Sequence, residues 1–308
     1  MRRTCLDQVF ELAKKDSRVF FIGSDLGAGT LDEFKKTLPA RFFVEGVSEA
    51  HVVGMASGLA LEGKIVYVNT IGTFITRRCF EQIVLDVCLH NLNVRLIGNG
   101  GGLVYAPLGP THLAIEDLAI MRAVPNMTIL APADATEMKR LMPLTLEYEG
   151  PIYIRLGKGG DPIVTPQDKP YGIGDAVLIR DGKNAMVVTT GITLKRALDA
   201  ADALKLLGIE LAVLHMPTVK PIDREAIIKY ADTVSVIITV EEGTITGGLG
   251  SAVAEILAEA YFDQSKRFKR LGIPDVFADK YGSQDSLMDY YNITSESIET
   301  TVKQLINI

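Results

Sequence analysis

The sequence has no tryptophan, three cysteines and four histidines in 308 residues. It also lacks any apolar run near the roughly 18 residues of a membrane-spanning helix. The cysteines (Cys5, Cys79 and Cys88) have no CxxC spacing, which argues against a disulfide framework and suits reduced thiols in a cytoplasm. An excess of basic residues is missing too. Lys and Arg number 32 against 38 Asp and Glu, a net charge of −6, so nucleic acid is disfavoured as a partner. The opening MRRTCLDQVFELAKK mixes charges into its apolar positions, unlike a signal peptide, and no membrane association is expected. What remains is 47% hydrophobic and 23% charged, the composition of a globular chain that buries its core without staples. At roughly 150 residues per domain, two domains are expected.

Short β-branched runs alternate with helical patterns. Strands are predicted at Val19–Gly23, Lys64–Asn69, Asn93–Gly98, Met127–Leu130 and Pro151–Leu156, and helices at Leu6–Lys14, Glu49–Glu62, Thr73–His90, Ile115–Ala123 and Ala135–Glu149. Uninterrupted apolar strands between helices indicate a parallel sheet covered on both faces. Gly- and Pro-rich text from Gly157 to Gly174 reads as a linker. A second series follows, with strands at Ala185–Thr190, Glu210–His215 and Val234–Val240 and helices at Leu194–Leu207, Arg224–Tyr230 and after GGLG. The predicted fold is therefore two open α/β domains, residues 1–165 and 166–308.

Ligands of such sheets sit at strand carboxyl ends, and five segments there carry chemistry. In VEGVSEAHVVGMASGLALEG, Glu49 falls in the first helical turn, where the helix dipole favours a carboxylate; a capping box is the plain structural alternative. In NTIGTFITRRCFEQI, Phe74 and Phe80 flank two arginines. Six apart, these aromatics cannot share a helical face, so one is expected to face a loop or ligand; core aromatics with solvated arginines explain the segment as simply. GNGGGLVYAPLGPTH holds five Gly and two Pro and ends on His112; long irregular loops are usually functional. Arg155 closes the PIYIRL strand, where it could grip an anion bidentately or serve a salt bridge. EEGTITGGLGSAVAE has a glycine cluster without G-x-G-x-x-G spacing, and no dinucleotide site is read into it.

Taken in order and spacing, GVSEAHVVGMASGLA, GTFITRRCFEQI, LGPTHLAIEDLAIMRAVPNMTILAPAD, the IRLGKG strand end and VEEGTITGGLGSAVAE resemble the carboxyl-terminal portion of transketolase, in the thiamine-diphosphate enzyme superfamily. The resemblance covers nearly the whole chain and implies a pyrimidine-binding domain followed by a transketolase carboxyl-terminal-like domain. It implies that Glu49 hydrogen-bonds N1′ of the cofactor's aminopyrimidine, promoting the proton transfers that let a carbon–carbon bond break. By the same resemblance, Phe74 stacks on that ring, Phe80 is a second pocket aromatic, and Asp25 is an aspartate near the cofactor. His112 acts at substrate oxygens, and Arg155 binds a substrate phosphate.

Full transketolases carry a GDG…N motif for Mg²⁺, which holds the diphosphate; no such motif occurs here. The chain is thus expected to be one subunit of a split transketolase. An amino-terminal transketolase-like subunit with GDG…N would hold thiamine diphosphate and Mg²⁺, in an α2β2 complex. The family's histidine and acidic pair before PTH fall on Gly100, Pro107 and Leu108, and the VEEH histidine falls on Gly243. Losing those polar groups removes discrimination for a hydroxylated substrate. A two-carbon ketol transfer between sugar phosphates, with a modified sugar among them, is the implied reaction. Rivals are the beta subunit of a 2-oxoacid dehydrogenase first component, a relative of 1-deoxyxylulose-5-phosphate synthase, and a non-catalytic partner module.

Overall fold

The computed structural model describes residues 1–24, 31–167 and 170–307. The first half contains α1 (Arg2–Lys15), β1 (Val19–Gly23), α2 (Asp32–Thr37), β2 (Phe42–Val44), α3 (Glu49–Leu61), β3 (Ile65–Ile71), α4 (Gly72–Arg77), α5 (Phe80–Gln82), β4 (Val94–Asn99), α6 (Asp117–Arg122), β5 (Thr128–Leu130), α7 (Ala135–Glu147) and β6 (Ile152–Leu156). The second contains β7 (Val177–Arg180), β8 (Ala185–Thr189), α8 (Thr193–Leu206), β9 (Leu211–His215), β10 (Thr218–Lys220), α9 (Arg224–Asp232), β11 (Val236–Thr244), α10 (Leu249–Glu259), β12 (Arg267–Ile273), α11 (Gln284–Tyr290) and α12 (Ser295–Ile306).

Two sheets result, in the orders β10-β5-β6-β4-β3-β1-β2 and β12-β11-β8-β9-β7. The neighbours are parallel except at β10 against β5 and at β7 against β9, which are antiparallel. The predicted strands thus form parallel-dominated α/β sheets, each with one antiparallel edge. The predictions omit both antiparallel strands, three residues in β10 and four in β7, and also the parallel edge strands β2 and β12. Notably, β10 belongs to the second half of the chain yet completes the first sheet, so the two halves interlock.

Helices cover both faces of the first sheet, as its apolar strands require. On one face α1 and α7 bring Cys5, Val9, Met138 and Met142 against Phe21, Tyr67 and Ile154. On the other, α3, α4 and the segment after α4 bring Val52, Ala56, Ile75 and Ile83 against Val66, Val68 and Leu96. The three cysteines are free and buried, and burial pushes each thiol up to about 12, which keeps them inert. Among the described residues, no helix is long and apolar enough to cross a membrane.

One predicted helix is broken. Thr73–His90 divides into α4, α5 and a π-helical stretch, Ile83–Cys88. Cys79 leaves helical geometry at φ −127° and ψ 28°, and the Thr76 hydroxyl bonds back to the Gly72 carbonyl, an option that lets threonine compete with helical pairing. The break follows Arg77 and Arg78, which point apart as consecutive residues of one helical turn.

Candidate active site

The loops after β2, β3 and β4 converge at the carboxyl edge of the first sheet. The loop after β2 leads into α3, whose first residue is Glu49. Ser48 makes no side-chain cap to this helix and donates instead to the Glu45 carbonyl. The capping-box alternative therefore does not hold. The Glu49 carboxylate, 5% exposed, faces Arg78, whose Nη1 lies 3.4 Å from Oε1 and 3.3 Å from Oε2.

β3 runs directly into α4, which places Phe74 half-buried one turn in. The Arg78 guanidinium lies over the Phe74 ring, 3.8 Å from its centroid. The His112 ring packs on Phe74 at 5.1 Å, tilted by 59°, and Tyr105 meets His112 edge-on at 6.4 Å. Thr111 Oγ1 and His112 Nδ1 are 2.8 Å apart. Glu49, Phe74 and His112 are thus joined in one cluster, with Arg78 as a member the sequence patterning passed over. Its signal was the adjacent arginine pair in a strand-end helix, which fits solvated side chains equally well.

The remaining candidates are placed elsewhere. Phe80 opens α5 beyond the break, 37% exposed, and among the described residues no ring contact joins it to Phe74 or His112. Asp25 lies outside the described residues. Arg155 is 6% exposed and points into the junction between the domains. Its Nε donates to Asp117 Oδ2 at 2.8 Å, and its Nη2 donates to the carbonyls of Glu242 at 2.7 Å and Ala114 at 3.3 Å. Tyr153 donates to the same Asp117 oxygen. Burial opposes the charge of Arg155, but Asp117 and Glu242 outweigh it and hold the group above the usual arginine range. An arginine so engaged ties the two domains together through Asp117 and the Glu242 carbonyl.

The glycine-rich loop is likewise partly structural. Gly101 and Gly102 bridge to Ala114, and Leu103, Ala106 and Leu113 are buried in the core of the second domain. The backbone N–H of Leu103 donates to Glu242 at 2.8 Å, which also accepts from Gln284. Only the tip, Pro107, Leu108 and Thr111, is exposed. The glycines where the resemblance expects histidines have steric reasons. At Gly100, in the left-handed region at φ +72°, a Cβ would lie 2.1 Å from the Tyr105 ring, and at Gly243 it would lie 2.8 Å from the Ile115 carbonyl.

The glycine cluster before α10 also resolves. Glu241 accepts from the N–H groups of Leu249 (2.9 Å) and Gly250 (2.8 Å), so an internal carboxylate already satisfies this helix start. Burial raises its pKa to about 7, against the opposing pull of those two donors. A Cβ at Gly248 would stand 2.0 Å from that carboxylate, which is why the motif needs glycine there.

Beside the loop tip opens a cavity of about 610 Å³, bordered by Arg77, Thr111, Glu116, Thr244, Asp275 and Phe277. Arg77 sits three residues after Phe74 on the same helical face. It is held by Glu116 and the Leu113 carbonyl.

Fold and site together define a two-domain α/β protein with an acid, an aromatic ring and an imidazole gathered at strand carboxyl ends, where such sheets bind ligands. Comparison with known proteins narrows this. Residues 1–160 match the family model for the transketolase pyrimidine binding domain, and residues 174–298 that for the transketolase C-terminal domain. The chain is 35% identical over 299 residues to the 6-deoxy-6-sulfo-D-fructose transketolase subunit SqwH of Clostridium sp. (strain MSTE9), covering 97% of this chain and 92% of that one. It is 34% identical over 307 residues to an apulose-4-phosphate transketolase subunit of Phocaeicola vulgatus, covering 99% and 97%. The inactive beta4 tetramer of a split gene transketolase superposes with a TM-score of 0.89 at 34% identity, over 99% of this chain and 97% of that one. The chain belongs to the transketolase family, matching its pyrimidine binding domain and then its C-terminal domain.

Proposed function

We propose that this chain supplies the aminopyrimidine-binding and proton-handling half of a ketol transferase acting on a modified sugar or sugar phosphate. A separate subunit would hold the diphosphate and Mg²⁺ in an α2β2 assembly in the cytoplasm. The reading is carried by one observation: a carboxylate at a helix start, 5% exposed, clustered with an aromatic face and a histidine. Two of the matched relatives are subunits of transketolases whose names specify 6-deoxy-6-sulfo-D-fructose and apulose-4-phosphate, which supports a partner chain and an unusual sugar.

The residues fit an aminopyrimidine. Glu49 offers an acceptor and Phe74 a ring face. Thr73 Oγ1 at the start of α4 and Asn69 Nδ2 near the end of β3 are buried without hydrogen-bond partners, ready for a polar ring or its water. When bound, thiamine diphosphate supplies the electron sink for carbon–carbon cleavage. Glu49 holds the proton at the ring's N1′. Phe74 fixes the plane of the ring. His112, with Nδ1 tied to Thr111, presents Nε2 to exchange a proton with a substrate oxygen. The cavity beside Thr111 is the space for the rest of the sugar. Its threonine hydroxyls and the carboxylates of Glu116 and Asp275 can accept hydroxyl hydrogen bonds, and Phe277 offers an apolar face.

Glu49→Ala in the assembly with its partner tests this. Ketol transfer is expected to fall by about 10²–10⁴-fold, the usual contribution of a positioned proton-transfer group, with folding unchanged. Unaltered turnover would remove Glu49 from the chemistry and overturn the reading.

A further inference from the structure

We propose that Arg78 is a resident stand-in for the cofactor's aminopyrimidine, which the cofactor must displace on binding. The inference rests on the reading of Glu49 and Phe74 as the two contacts of that ring. In the chain as it stands, one planar cationic group makes both. Its Cζ lies 3.8 Å from the Phe74 centroid, stacking distance for a guanidinium on a ring, and its Nη1 faces both Glu49 oxygens at 3.3 and 3.4 Å. A flat, hydrogen-bond-donating group that covers Phe74 and addresses Glu49 duplicates the recognition pattern of an aminopyrimidine. One ring face cannot hold both groups at once.

The contacts are built to be given up. Both Arg78–Glu49 distances are beyond the usual 2.7–3.2 Å of N–H···O bonds, in contrast to the 2.8 Å bond of the buried Arg155. The Arg78 side chain is 48% exposed while Glu49 is 5% exposed, so the arginine can swing into solvent and the glutamate cannot follow. Arg78 is also the C-cap of α4, its N–H bonded to the Phe74 carbonyl, and stands immediately before Cys79, where the helix is broken. Until the cofactor arrives, the arginine gives the buried carboxylate a counter-charge and keeps the Phe74 face covered. Cofactor binding then carries the penalty of displacing it, because apparent affinity scales with the fraction of chains in the competent state.

The test is thiamine diphosphate affinity, at saturating Mg²⁺, of the assembly with the diphosphate-binding subunit, read from the change in near-ultraviolet circular dichroism rather than from turnover. Arg78→Met is expected to tighten binding by about three- to tenfold. Arg78→Lys, which keeps the charge but loses the planar stack, should tighten it less. Unchanged thermal unfolding of the variants establishes that they fold. Equal or weaker binding by Arg78→Met, with clear binding by the unaltered assembly, overturns the stand-in and leaves the proposed function intact. Absence of binding in both removes the proposed function and the stand-in with it.

Discussion

Two arginines stand at strand carboxyl ends of the same sheet, and they have opposite characters. Arg155, in β6, points into the domain junction, 6% exposed, with bonds of 2.8 Å to Asp117, 2.7 Å to the Glu242 carbonyl and 3.3 Å to the Ala114 carbonyl. Arg78, just past the helix that leaves β3, is half-exposed and holds Glu49 only at 3.3–3.4 Å. A buried cation bonded through Nε and Nη2 serves architecture, because removing it leaves the charge of Asp117 stranded. A loosely held cation over an aromatic ring has partners to release. Residue type is the same, but Arg155 lies in β6 and Arg78 caps α4; burial and the closeness of the bonds separate the two.

That contrast can be broken from the Arg155 side with the largest effect. Arg155→Ala leaves Asp117 buried without its counter-charge and is expected to destabilise folding by about 3–5 kcal/mol, seen as a lower urea midpoint. A raised KM with unchanged stability would return Arg155 to a substrate-binding role. Gly243→Ala strains the same junction without touching a charge. The new Cβ would stand 2.8 Å from the Ile115 carbonyl, and overpacking of this kind costs about 1–3 kcal/mol, measurable in the same way.

A pH series sharpens the comparison further. Glu241, whose pKa burial raises from 4.5 to about 7, binds a proton in the folded chain that the unfolded chain releases. Its contribution to stability is therefore largest below about pH 4.5 and declines as pH rises to about 7. Glu241→Gln should flatten part of that decline between pH 5 and pH 8 in denaturation midpoints, with Glu242, also raised by burial, supplying slope of the same sign. Asp134 shows that burial alone does not decide the sign. Burial acts to raise its pKa too, but N–H donors from Glu137, Val164 and Thr165 and the Thr165 hydroxyl outweigh it and lower the pKa. The smallest effect belongs to Arg77→Ala, which breaks a half-exposed pair with Glu116 and should change stability by less than about 1 kcal/mol.

Much of the fold was legible along the chain. The central strands of both sheets read as apolar runs, and the helices of the first domain as amphipathic or small-residue patterns. β10 was not legible, because three residues that pair across the domain boundary have no local period to display. The helix break at Cys79 was hidden for a related reason: RRCFEQI is compatible with a helix, and the break is set by packing around it. Of the site, Glu49 and His112 announced themselves by standing at a helix start and a loop end. Phe74 could not be told from Phe80 by spacing. Only the fold puts Phe74 against His112 and leaves Phe80 37% exposed beyond the break.

The amino-acid sequence by itself determined the α/β class, the family and the residue types available for chemistry, because these follow from local periodicity and from motifs kept in order. Tertiary structure alone decided which of those residues meet. It turned Arg155 inward to Asp117, folded the glycine-rich loop into the core of the second domain, and laid Arg78 across Phe74 and Glu49. Such pairings join residues distant in the chain, and their geometry depends on burial and hydrogen-bond saturation, which no local pattern records.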